Sequence, residues 1–200
     1  MKMKKIFILL IICLLVFMIY YITRDNKVYY VSIGDYVSIN NNIDYGKKLE
    51  KKVKYNISDY RIVDLIDDIE SNKEITYNNK RYKFANMLIK ADIVVLSIGM
   101  NDLLFYGEVN DNMYAYIDDI LMDIDKVLSL VRYYCKEKIY IYNYFGFDDK
   151  FLGYINNRLD SLAKEYDIDM IDISKIDSRK KLSSSDYRYI EKKLLNILKK

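Results

Sequence analysis

Five short segments of the chain hold the side chains able to do chemistry. Gly34–Ser38 offers the carboxylate of Asp35 and the hydroxyls of Tyr36 and Ser38. Asn56–Arg61 offers the amide of Asn56, and Gly99–Leu104 sets the amide of Asn101 beside the carboxylate of Asp102. Tyr144–Asp148 adds an aromatic stretch, and Lys180–Asp186 adds the amine of Lys180 and the hydroxyl of Ser183. A hydroxyl becomes a nucleophile when a base takes its proton. The usual base is imidazole, and this chain contains no histidine. That closes both the imidazole base and the imidazole metal ligand. Of the two cysteines, Cys13 falls in an apolar run. Cys135 ends an expected helix, where it reads as a small buried hydrophobe.

These segments are singled out by the elements that must carry them. Val28–Ile33, Ile93–Ile98, Ile139–Phe145 and Ile168–Ile173 are short apolar runs that predict buried strands, with a weaker one at Val53–Ile57. Between them, helical spacing appears at Ile62, Leu65, Ile66 and Ile69. It recurs along Met113, Ile117, Ile120, Leu121, Ile124, Leu128 and Val131, and along Phe151, Ile155, Leu159, Leu162 and Tyr166. Ile190, Leu194, Ile197 and Leu198 close the chain on a last helix. Strands alternating with helices imply a parallel sheet covered on both faces. Ligands of such sheets bind beyond the carboxyl ends of the strands, and the five segments lie there.

Lys2, Lys4 and Lys5 precede a charge-free run of seventeen residues, Ile6–Ile22, with Tyr20 and Tyr21 near its end. The run predicts an uncleaved signal-anchor, residues 1–27, that places the following domain, 28–200, outside the cytoplasm. A cleaved signal peptide and lipid attachment at Cys13 are the alternatives. No small-x-small site follows the run, and the residue before Cys13 is not small. Without the three leading lysines, 29 basic residues face 29 acidic ones. The domain is therefore near neutral, with no footprint for nucleic acid. Asp118, Asp119, Asp123 and Asp125 read as the wet face of the long helix. Tyr140, Tyr142 and Tyr144 share one face of a strand and read as core.

Four of the segments together resemble the SGNH, or GDSL-type, hydrolases. Ser32-Ile33-Gly34-Asp35-Tyr36 resembles that family's first block, a strand leading to Gly-Asp-Ser. Lys54–Leu65 resembles the second through Ser58, Arg61, Asp64 and Leu65. Ile98-Gly99-Met100-Asn101-Asp102 matches the Gly-x-Asn-Asp block in full. Ser183–Ile190 resembles the last block, an Asp-x-x-His-Pro stretch opening a helix. The resemblance spans nearly everything after residue 27 and implies a flavodoxin-like three-layer α/β/α sandwich with a parallel sheet. It also implies an ester or acyl hydrolase that needs no cofactor.

The departures fall on the chemistry. Tyr36 stands at the position of the nucleophilic serine, Lys180 at that of the aspartate and Ser183 at that of the histidine. Asn56 replaces an oxyanion glycine, and Asn101 keeps the side-chain donor. A tyrosine hydroxyl titrates near 10 and is far bulkier than serine. Ser38 is either a substitute nucleophile or a helix cap. Asp35 reads as a pocket carboxylate or as a turn residue, and Asn101 and Asp102 as retained binding groups or as partners of loop backbone. The expectation is a catalytically silent relative at the cell membrane that binds an envelope glycan, lipid or protein. The alternative is an active esterase with unusual residues. A site of metal ions is not expected.

Overall fold

The computed structural model describes residues 11–16, 18, 28–34, 51–56, 61–77, 79–109, 113–177 and 182–198, with the backbone alone at 51–56, 77, 107–109, 113 and 198. The parallel strands are β1 (Tyr29–Gly34), β2 (Lys51–Asn56), β5 (Ile93–Ser97), β6 (Lys138–Tyr142) and β7 (Asp169–Ile171). Their order across the sheet is β2-β1-β5-β6-β7, with every pairing parallel. This is the flavodoxin-like order, with its switch point between β1 and β5. Strands of such a sheet are buried on both faces and so read as unbroken apolar runs. Val94, Val95 and Leu96 of β5 and Tyr30, Val31 and Ile33 of β1 are fully enclosed.

The helices are α1 (Ile62–Glu70), α2 (Phe84–Ile89), α3 (Met100–Val109), α4 (Ile117–Tyr134), α5 (Asp149–Glu165) and α6 (Ser184–Leu198). Along α4, Ile117, Ile120, Leu121, Ile124, Val127, Leu128 and Val131 form one buried stripe. Each such side chain contributes roughly 2 kcal/mol on burial. α1, α2 and α5 all pack against α4, which makes one helical layer. α6 turns Ile190 and Leu194 into the core.

Several elements differ from the sequence expectation. The long helix expected from Met113 begins at Ile117, after a 3-10 turn over Met113–Tyr116. Tyr116 stacks on Tyr106 there, ring centroids 4.3 Å apart, which fixes the corner between α3 and α4. β6 ends at Tyr142 instead of Phe145, β7 is confined to Asp169–Ile171, and β2 begins at Lys51 instead of Val53, while Ile57 lies outside the described residues. An antiparallel hairpin of β3 (Glu74–Tyr77) and β4 (Lys80–Lys83), followed by α2, was not expected at all. Residues 11–16 and 18 of the apolar run are helical. Among the described residues no helix is long and apolar enough to cross a membrane.

Candidate functional site

At the switch point two strands approach unusually closely. Gly34 ends β1 opposite Asn56 of β2 and Ser97 of β5. A Cβ at Gly34 would stand 2.1 Å from the Ser97 carbonyl oxygen, so only glycine closes β1 onto β5 there. One turn later, Gly99 adopts φ +86°, and a Cβ on it would stand 2.2 Å from the Tyr144 hydroxyl. That hydroxyl is buried and donates to the Ile98 carbonyl at 3.2 Å. Tyr144 thus reaches across from beyond β6 and props the turn that launches α3. Asn101 and Asp102 lie in the first turn of α3, the former half-buried and the latter 2 % exposed.

Asp102 is committed to structure. One carboxylate oxygen accepts the Ile62 backbone N–H at 3.1 Å, and the other accepts Arg61 Nε at 3.2 Å. The carboxylate therefore caps α1 from a neighbouring helix, where the first N–H groups lack partners and favour negative charge. Asp64 completes the cap by accepting the Arg61 N–H at 3.1 Å. The Arg61 guanidinium lies 4.7 Å from the Phe105 ring centroid and donates to the Tyr106 hydroxyl. Burial pushes the Asp102 carboxyl above its ordinary range, against the bonds from Ile62 and Arg61. Blocks two and three of the expected pattern thus meet in space, through Arg61 and Asp102.

The carboxyl ends of β6 and β7 are joined by neutral amides. Asn143 donates to Asp172 and accepts the Ile173 N–H at 2.7 Å. Asn156, on α5, bonds both the N–H and the carbonyl of Tyr144, at 2.8 and 3.0 Å. Burial raises the Asp172 carboxyl. The Ser174 hydroxyl and N–H, the Asn143 amide and Lys193 outweigh it and hold the carboxyl below the usual range. A polar groove of about 570 Å³ opens beside these groups, bordered by Asp149, Asn157, Asp160, Ser174, Lys175 and Asp177. Neither Asn143 nor Asn156 belongs to the blocks of the expected pattern. The available signals are an asparagine inside the apolar run Ile139–Phe145 and another on the buried face of α5.

Of the positions expected from sequence, Gly34, Asn56, Gly99 and Asn101 do gather at the carboxyl ends of three adjacent strands. Asp35, Tyr36, Ser38 and Lys180 lie outside the described residues. Ser183 caps α6: its N–H and hydroxyl both bond the Asp186 carboxylate at 2.7 Å, and the Asp186 N–H returns to the hydroxyl. Its described bonds stay within that first turn. Cys135 is enclosed, and burial pushes its thiol up. Asp118 pairs with Arg158, and Asp125 accepts the Tyr166 hydroxyl, so two of the four α4 carboxylates are engaged by neighbouring side chains. Among the described residues no group of His, Cys, Asp and Glu is arranged to hold a metal ion.

The chain has the architecture of lipases and esterases of known structure. A lipase from a goat rumen metagenome superposes with a TM-score of 0.63 at 16% identity, covering 84% of this chain and 96% of that one. An acetylxylan esterase from Geobacillus stearothermophilus gives 0.63 at 13% identity, covering 84% and 92%. A G-D-S-L family protein from Desulfitobacterium hafniense gives 0.57 at 12% identity, covering 84% and 98%. No protein-family profile and no curated protein sequence matches the chain. The fold is thus SGNH hydrolase-like.

Proposed function

We propose that this SGNH-like domain is a catalytically silent binding protein, held at the cell membrane by its apolar N-terminal run and working outside the cytoplasm. The observation that carries the reading is the lack of any histidine in the chain. An acyl-enzyme route needs a base that accepts a proton from the nucleophile and returns it to the leaving group. At the position resembling that base, Ser183 has its hydroxyl bonded to the Asp186 carboxylate as a helix cap. Asp102 is not available as a substitute, because it is bonded to Arg61 and Ile62. The half-buried Asn101, at the carboxyl edge of the sheet beside the switch point, supports binding of a polar envelope ligand there, a glycan, lipid headgroup or protein.

The test is hydrolysis of activated short-chain esters by the purified full chain. Stabilisation of an oxyanion by Asn101 alone permits a residual acceleration on the order of 10³-fold over water, so a slow background is expected. The expected result is no saturable turnover, and no change in the background with Tyr36→Phe or Ser38→Ala. Saturable turnover abolished by either change, or by Asn101→Ala, overturns the reading and makes the chain an unconventional esterase.

A further inference from the structure

The amino edge of the sheet has a character of its own. The chain enters β1 at Tyr29, whose N–H donates to the Asp92 carboxylate at 2.6 Å while its carbonyl accepts the Asp92 N–H at 2.9 Å. Tyr30 lies level with Ile93, and Ile93 with Lys138, so β1, β5 and β6 all begin along this edge. α2 and α4 both end there, and the Cys135 sulfur, 4.0 Å from the Ala91 carbonyl, ties the two ends together. Arg132 ties the end of α4 to the turn after α5 and to the entry of β6 by donating to the carbonyls of Tyr166, Asp167, Cys135 and Glu137. On this rigid base two large side chains face solvent, Tyr133 at 70 % exposure and Ile89 at 59 %. Lys90, Lys136 and Lys138 are exposed around them, with the Lys136 amine 5.6 Å from the Tyr133 ring. Glu137 and Asp92 are the exposed carboxylates beside them, Asp92 bonded to the Tyr29 N–H, and Asp167 and Asp169 are exposed where β7 begins. An aromatic ring, an aliphatic side chain and lysines with long apolar stems are the groups that settle at a membrane–water interface.

Between Ile22, where the apolar run ends, and Val28 the chain has six residue steps, which reach at most about 20 Å. The attachment is to the amino edge. The carboxyl edge lies a further strand length away, roughly 20 Å for the six residues of β1. We infer that the amino edge, through Ile89, Tyr133 and their lysines, rests on the bilayer that holds the N-terminal run, so that the carboxyl edge with Gly34 and Asn101 faces away from that bilayer. This rests on the anchoring proposed above and sharpens it. The ligand then reaches the carboxyl edge from the envelope space, and a headgroup of the host leaflet does not.

The chain has no tryptophan, so an introduced one reports without background. Ile89→Trp, Tyr133→Trp and, at the opposite edge, Phe105→Trp are made in the full chain; all three positions are exposed. Each protein is reconstituted into phosphatidylcholine–phosphatidylglycerol vesicles carrying lipids brominated near the top of the acyl chain. Ile89→Trp and Tyr133→Trp are expected to lose roughly half their emission to the bromines, while Phe105→Trp keeps nearly all of it. Protein that floats with the vesicles after alkaline extraction but shows no quenching at 89 and 133, or equal quenching at 105, overturns the docking inference and leaves the anchor standing. Protein that fails to float overturns both.

Discussion

The two halves of the sheet's carboxyl edge are built by opposite means. On the β1–β5 side the backbone closes by having no side chain at Gly34, the turn at Gly99 makes room for a hydroxyl, and one buried carboxylate joins α3 to α1. On the β6–β7 side two asparagines complete the backbone bonds of the loops with neutral amides, and the local carboxylate, Asp172, is half exposed. Burying an ionised group costs far more than burying an amide, unless its partners hold. The two aspartates register the difference. The Asp102 carboxyl is pushed up by burial, whereas the Asp172 carboxyl is held down by its donors. The β1–β5 half is therefore the one that holds a buried charge in place by its partners. The other half is scaffold.

The contrast predicts a graded series in urea unfolding. Gly34→Ala strikes hardest, at about 4 kcal/mol or loss of folding, because a backbone carbonyl stands where its Cβ must go. Less than about 1 kcal/mol there would show that β1 and β5 can separate freely. Asp102→Ala comes next, at about 3 kcal/mol, since it strands the Arg61 charge and uncaps α1. Asn156→Ala costs about 2 kcal/mol through the two bonds to Tyr144. If Asn156→Ala proves the costlier, the scaffold half has been misassigned.

The smallest effect is in pH dependence, and its sign differs between the halves. Asp102 has a raised folded-state pKa, so the folded chain binds the extra proton. Its ionisation costs stability above that pKa, and the cost is relieved as pH falls through it. Asp172 has a lowered pKa, so its contribution is present above the ordinary carboxylate value and lost as pH falls toward the depressed one. Replacing Asp102 with Asn should steepen the acid loss of stability, and replacing Asp172 with Asn should flatten it. Parallel shifts in both variants would erase the distinction.

The sheet was legible because a parallel strand buried on both faces leaves a short apolar run closed by a turn residue, as in Ile93–Ile98 before Gly99. The hairpin was not, because β4 is Lys-Arg-Tyr-Lys and its exposed side chains write no such run. α3 was missed for a related reason. Its apolar residues are not gathered to one stripe, since Leu103 points into the core while Phe105 faces solvent. At the carboxyl edge, the block singles out Asn101 and offers Asp102 as a partner of backbone, but not which backbone it bonds. Its partners lie 40 and 41 residues away, a distance that only the fold closes. Ser183 shows the reverse. Its cap with Asp186 is spelled out locally as Ser-x-x-Asp, and the resemblance to a catalytic block drew attention past it.

The place of β1 in the sheet has a mechanical meaning. It is flanked on both sides by parallel neighbours, β2 and β5, and the chain enters it from the amino end. A pull on the N-terminus, directed along the strand, loads these two rows of backbone bonds sideways and all at once. It does not open them one by one, as peeling an outer strand does. The strand that ends at the switch point is thus also the one that would carry such a pull, and the Gly34 closure lies at the far end of that line of force.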